Sequence, residues 1–259
     1  MLTKNKIQLI QSLHQKKFRQ QHQLFIAEGE KVVEGLLNSN FQIETIIALK
    51  DWAEENKKLL RKHIAKLEIA DSKTLERISS LTTPNAVIAV AEMQKHGIQI
   101  SKLQKQLILI LDNINDPGNL GTILRIADWY GISTIICSET TVDLYNPKTI
   151  QSSMGSAFRV QVYYTELSEF IPAYIKATGN YIYATTLNGS DIYQKHLHSN
   201  AAIVIGNESH GISKTLLKSI PEKITIPQFH TASSVDSLNA AVATGIIVAE
   251  FRRRLDIAL

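Results

Sequence analysis

A single cysteine, Cys137, stands in the 259 residues. It excludes an internal disulfide and a paired-cysteine metal site, and it points to a reducing compartment. No run of 18 apolar residues occurs, so no membrane span is expected. The basic start, MLTKNKIQLIQSLHQKK, lacks an apolar core of secretory-signal length, which makes the cytoplasm the expected location. Familiar site motifs are missing as well. There is no GxGxxG dinucleotide fingerprint, no GxxxxGK[ST] phosphate loop and no HExxH, and the eight histidines show no metal-ligand spacing, so no metal is expected. A serine-hydrolase elbow is excluded because Ser209 lies three residues after Gly206, where Gly-x-Ser-x-Gly requires two.

What is present is a globular composition, 44% hydrophobic and 20% charged. A chain of this length buries roughly 70–75% of its unfolded surface, enough for a core without staples. The net charge of +4 sits in the first hundred residues, with 15 basic and 11 acidic side chains, while the remainder carries 13 of each. The first 27 residues hold Lys4, Lys6, Lys16, Lys17 and Arg19 and no acid. Such an arm suits a polyanion, most simply RNA or DNA, but on charge alone a solvated helix face is the favoured reading.

Two α/β parts are expected, residues 1–95 and 106–259, joined by a polar linker over 96–105. In the first part, strands are predicted at 24–27, 43–49, 67–70 and 86–91, with helices at 30–38, 51–65 and 72–80. In the second, continuous apolar runs at 107–111, 132–137, 181–185, 201–205 and 223–226 suit strands buried on both faces of a parallel sheet. Such sheets bind ligands at the carboxyl ends of their strands. Three of these ends carry glycine and small polar residues: Asp112–Gly121, Gly206–Gly211 and Pro227–Asn239. Asn119 is read as the cap of a helix stopping at Gly131, and Asp236 or Ser234 as the cap of a later one. Gly206 is read as allowing a ligand close to the backbone. Arg125 either projects its planar cation towards a phosphate or carboxylate, or pairs on the surface with Asp116 or Asp128. Glu208 either orients a ligand or favours the start of the helix over 213–219. Arg252-Arg253-Arg254 either meets RNA or complements a helix C-terminus.

Taken in order, these segments resemble the three motifs of the SpoU/TrmH-type RNA 2′-O-ribose methyltransferases of the SPOUT class. The first is Asn113…Pro117…Asn119…Gly121…Arg125. The second is Ile205-Gly206-Asn207-Glu208…Gly211. The third is Ile226-Pro227…Ser237-Leu238-Asn239…Ala243…Glu250. The resemblance covers 107–254. Lys16-Lys17-Phe18-Arg19, Phe25-Ile26-Ala27-Glu28-Gly29 and Thr83-Pro84 extend it to the family's substrate-binding domain, although Asn85-Ala86 replace the Gln-Gly that often follows.

The resemblance implies a C-terminal α/β domain with a mostly parallel sheet and a deep trefoil knot, preceded by a small ribosomal-protein-like RNA-binding domain. It implies S-adenosylmethionine held by Thr185, Thr186, Leu187, Ile205, Gly206, Ile226 and Leu238. It also implies a homodimer with sites at the subunit interface. Arg125 matches the family's catalytic arginine; Asn119, Glu208, Ser237 and Asn239 would orient it, the ribose and the cofactor. Lys16, Lys17 and Arg19 would contact RNA phosphates. The two-domain layout favours ribosomal RNA. A tRNA ribose methyltransferase, a base methyltransferase and a non-catalytic RNA-binding protein on the same scaffold remain alternatives.

Overall fold

The computed structural model describes residues 2–95, 97–229 and 237–254. It divides into two units, one made of residues 1–95 with 143–159, the other of 96–142 with 160–259.

The first unit opens with α1 (Lys4–Ser12), capped by the Thr3 hydroxyl, which accepts the Lys6 N–H at 3.3 Å, and α2 (Lys16–His22). Then come β1 (Leu24–Glu28), α3 (Glu30–Leu37), β2 (Ile43–Ala48), α4 (Lys50–Glu55), α5 (Lys57–Leu60), β3 (Leu67–Ile69), α6 (Ser72–Ile78) and β4 (Val87–Glu92). The sheet order is β1-β4-β2-β3, antiparallel except for the β2–β3 pair. Ile26, Ile47, Ile88 and Val90 on the sheet meet Ile7, Ile10, Leu75 and Ile78 from the helices in one buried cluster. The helix expected over 51–65 is broken. Asn56 separates α4 from α5, and its side-chain amide donates to the Trp52 carbonyl at 2.9 Å, competing with the helical backbone.

The second unit is built on six strands. β5 (Ile108–Asp112) leads into α7 (Pro117–Trp129) and β6 (Thr134–Cys137). The cap of α7 is Asp116, which accepts the Asn119 N–H at 2.8 Å, so Asn119 lies in the first turn and its side chain is free for other work. Gly131 ends the helix at φ 65°, and the Ile132 N–H returns to the Ala127 carbonyl at 2.7 Å.

The chain then contributes 143–159, including α8 (Pro147–Ser152), to the first unit. There Tyr145 and Phe158 join Phe25 and Phe41 in an aromatic cluster with centroids 4.7–6.1 Å apart. The domain expected over 106–259 is therefore interrupted.

β7 (Gln161–Tyr164), α9 (Leu167–Thr178), β8 (Tyr181–Asp191), β9 (Ala201–Gly206), α10 (Lys214–Ser219), β10 (Glu222–Thr225) and α11 (Ala240–Arg253) complete the chain. The sheet order is β10-β8-β9-β5-β6-β7, with every pair parallel. β5, β6 and nearly all of β9 are buried, as their apolar runs require. The expected linker is part of this unit: Leu103 is buried and Ile98 and Ile100 pack on the same core. Asn239 caps α11, accepting the N–H groups of Ala241 and Val242 at 3.0 and 3.2 Å. Asp236 and Ser234, expected in that role, lie outside the described residues.

Candidate active site

A parallel sheet leaves its carboxyl strand ends on one edge, and the ends of β8, β9 and β10 enclose a cavity of about 680 Å³ there. Its walls include Thr185, Thr186 and Leu187 from β8, Ile205 and Gly206 from β9, Ile226 after β10, and Leu238 before α11. All seven residues expected to hold the cofactor thus line one space. Ala240, Ala243 and Ile247, spaced at i, i+3 and i+7 on α11, close it with small and apolar side chains. The spacing of these residues along α11 was the available signal for this wall.

The Thr185 hydroxyl donates to the Val204 carbonyl at 2.9 Å, whereas the Thr186 hydroxyl is buried and has no partner among the described residues. An apolar cavity of this size with an unspent buried hydroxyl suits a flat heteroaromatic ligand with polar edges, and adenosine has that character.

The missing side chain of Gly206 also makes room for the loop that follows it. An added Cβ would lie 2.3 Å from the Gly211 carbonyl carbon and from the Ile212 nitrogen. The loop after β9 folds back on its own strand. Asn207 holds that turn: its backbone exchanges hydrogen bonds with Gly211 at 3.1 and 2.8 Å, and its side-chain oxygen accepts the N–H groups of Ser209 and His210. Its side-chain amide donates to the Asn113 carbonyl at 3.1 Å, joining the second motif to the first. Asn113 adopts φ 60° at that junction. An Asn directly after a glycine at a strand end was the available clue to this role.

At the lip of the cavity three motifs meet. The Asn119 amide donates to the Glu208 carboxylate. The Asn239 amide donates to the Asn119 side-chain oxygen at 2.9 Å, and the Ser237 hydroxyl donates to the Glu208 carbonyl at 3.2 Å. Four of the five residues expected to do chemistry are therefore one hydrogen-bonded network. Arg125 is not in it. Six residues along α7 place it roughly 9 Å further and about 120° around from Asn119. It is exposed, lines no part of the cavity, and among the described residues has no hydrogen-bond or ionic partner. Neither proposed surface pairing, with Asp116 or Asp128, is formed.

Residues 106–249 match the SpoU rRNA Methylase family. The chain belongs to it. Residues 4–89 match the MRM3-like substrate binding domain. The chain is 30% identical over 241 residues to the 23S rRNA (guanosine(2553)-2′-O)-methyltransferase RlmP of Bacillus subtilis, covering 93% of each protein. Among solved structures, a TrmH-family RNA methyltransferase from Porphyromonas gingivalis superposes with a TM-score of 0.84 at 34% identity, covering 98% of this chain and 100% of that one. The AdoMet-bound rRNA methyltransferase from Sinorhizobium meliloti does so with the same score at 31% identity, covering 98% and 97%.

One expected RNA contact of this SpoU-family chain is overturned. Arg19 is 2% exposed. Its guanidinium donates to Asp143 at 2.7 and 3.3 Å and to the Leu13 and His14 carbonyls at 3.0 Å each. Four of the five N–H donors of the fork are spent within the first unit and the side chain is buried, so Arg19 holds structure and does not meet phosphate. Lys16 and Lys17 are exposed on α2.

Proposed function

We propose that this chain transfers a methyl group from S-adenosylmethionine to a ribose 2′-hydroxyl of structured RNA, with ribosomal RNA as the substrate. The observation that carries the reading is the Asn119–Glu208–Asn239–Ser237 network at the lip of a cavity lined by every residue expected to hold the cofactor. The sulfonium cofactor supplies an activated methyl electrophile. The chain must then hold a weak nucleophile in line and stabilise its developing charge.

Glu208, Asn119 and Asn239 fix one another's side chains, so the lip presents a preformed polar surface to the ribose. A guanidinium stays protonated near neutral pH. Arg125 is therefore assigned to gripping the target phosphate and favouring the alkoxide, in preference to acting as a simple base. Because Arg125 stands away from its own chain's cavity, the reading includes a homodimer in which a second copy completes the site. Trp129 on α7 is 85% exposed and Val242 on α11 is 53% exposed, apolar surface that a second copy would cover.

The parallel sheet with α11 following β10 is assigned the family's trefoil knot, and Lys16 and Lys17 are assigned to RNA phosphates. The cytoplasm, where ribosomal RNA is met in a bacterial cell, is the assigned location, and no described helix is long and apolar enough to cross a membrane.

The test is ribose-methylation mapping of total RNA from cells with and without the gene, paired with Arg125→Ala. Loss of one 2′-O-methyl in ribosomal RNA is expected. The variant should lose transfer by orders of magnitude while still binding cofactor. A site lost in tRNA overturns the substrate, a methyl on a base overturns the ribose assignment, and near-normal turnover in Arg125→Ala overturns the role of that residue.

A further inference from the structure

The three arginines that end α11 have distinct partners. Arg253 and Arg254 both pair with Glu250, and Arg254 also donates to the Ile192 and Tyr193 carbonyls at 2.6 and 2.9 Å. Arg252 reaches a different helix. Its Nε donates to the Tyr130 carbonyl at 2.8 Å and its Nη2 to the Gly131 carbonyl at 3.2 Å, the two carbonyls that follow α7. The partners are fitting, because a helix C-terminus leaves carbonyls unsatisfied and carries partial negative charge.

The opposite ends of the same two helices are tied by the Asn239–Asn119 amide bond. The two ties join residues 120 and 121 apart in sequence. Between them Gly245 faces Ile126, whose Cδ1 would stand 3.5 Å from an added Cβ. α7 and α11 therefore run parallel, in one register, with a tie at each end and a close approach between. From residue 239 to residue 252 the tie spans roughly 20 Å of helix.

We propose that Arg252 is a positioning residue for methyl transfer, setting the register of α11 on α7 so that Asn239 meets Asn119 at the lip of the cavity. This rests on the methyltransferase reading above. Release of the far tie lets α11 slide or turn. A shift of one ångström is enough to lengthen the 2.9 Å amide bond beyond hydrogen-bonding range, and the Asn119 side chain then keeps only its bond to Glu208. Arg254 anchors the same helix end to the carbonyls after β8, and among the described residues makes no bond to α7.

The test is a double-mutant cycle on the single-turnover methyl-transfer rate of the full chain, with Arg252→Met and Asn239→Ala. Alone, Arg252→Met is expected to slow transfer about tenfold. In the Asn239→Ala background it should cost no more than about twofold, because the contact it serves is already gone. A merely structural role predicts equal losses in both backgrounds. If Arg252→Met does not fold, Arg252→Lys keeps the charge but not the fork across two carbonyls, and carries the same cycle. A second readout needs no substrate: the Asn239 side-chain amide signal in ¹H–¹⁵N spectra should move and exchange faster with water in the Arg252 variant. Additive losses, or an unmoved Asn239 signal, overturn the proposal. A wild-type chain that transfers no methyl overturns the functional reading instead, and the amide signal still decides the register.

Discussion

Replacing Gly206 by alanine tests the account of the loop after β9. The new methyl would sit 2.3 Å from two backbone atoms of Gly211 and Ile212 and 2.5 Å from the Gly211 oxygen. Ordinary contact needs about an ångström more, and backbone cannot swing aside as the end of a side chain does. The turn must open. Its two Asn207–Gly211 backbone bonds, at 3.1 and 2.8 Å, are the first to go. Two hydrogen bonds at about 1 kcal/mol each, with overpacking of about 1–3 kcal/mol, give a loss of about 3–5 kcal/mol. That corresponds to a fall in Tm on the order of 6–20 °C for a unit of this size. The displaced loop lines the cavity, so cofactor affinity should fall at least about tenfold. Scanning calorimetry without ligand and titration calorimetry with S-adenosylmethionine read the two effects. Gly211→Ala is the control. It meets no atom within 4 Å but holds φ 66°, so it should lose only the left-handed strain of about 1–2 kcal/mol. A Gly206→Ala protein with unchanged Tm and weakened cofactor binding would refute this reasoning and restore glycine as a place for ligand approach.

Arg19→Met should destabilise the first unit by about 3 kcal/mol, since it strands Asp143 and two carbonyls, and should leave the salt dependence of RNA binding unaltered. Thermal melts and binding titrations separate these outcomes. Lys16→Ala with Lys17→Ala should do the reverse, lowering the slope of log affinity against log salt by about 1.5–2 with little change in Tm. An unchanged slope removes α2 from the RNA surface. Arg253 and Arg254 hold the Glu250 carboxyl at about 2, below its usual range. Its contribution to stability is therefore full above the unfolded value near 4.5 and disappears as pH falls towards 2. Glu250→Gln should flatten the acid limb of the stability curve between those values, and an identical acid limb would show that the pairs contribute nothing.

The legible parts of this chain were those where burial and period agree. β5, β6 and β9 are buried nearly throughout, and their apolar runs read as such. β7 was missed because it is a four-residue edge strand, Gln-Val-Tyr-Tyr, with no fully buried position. The site residues Asn119, Glu208, Ser237 and Asn239 were named from motifs, but their mutual hydrogen bonds join positions up to 120 residues apart. No local pattern reports such pairs. Arg19 shows the opposite failure. In a run with four lysines and no acid it looks like one more surface cation, and only its distant partner Asp143 reveals a buried one. At Gly206 the sequence points to the absence of a side chain, but not to the Gly211–Ile212 backbone that also requires it.

Residues 143–159 belong with 1–95 although the chain inserts them between β6 and β7. The backbone consequently passes between the units three times, at 95/96, 142/143 and 159/160. No single cut yields two complete halves. A fragment beginning at residue 96 would carry Tyr145, Ile150 and Phe158 as apolar side chains stripped of their neighbours. A fragment ending at 95 would leave Arg19 without its carboxylate and Phe25 without two of its rings. An exchange of substrate-binding modules between relatives has to move two separate stretches of gene together. A chimera joined at the linker alone inherits a mismatched insertion, and its failure would say nothing about which RNA the borrowed module prefers.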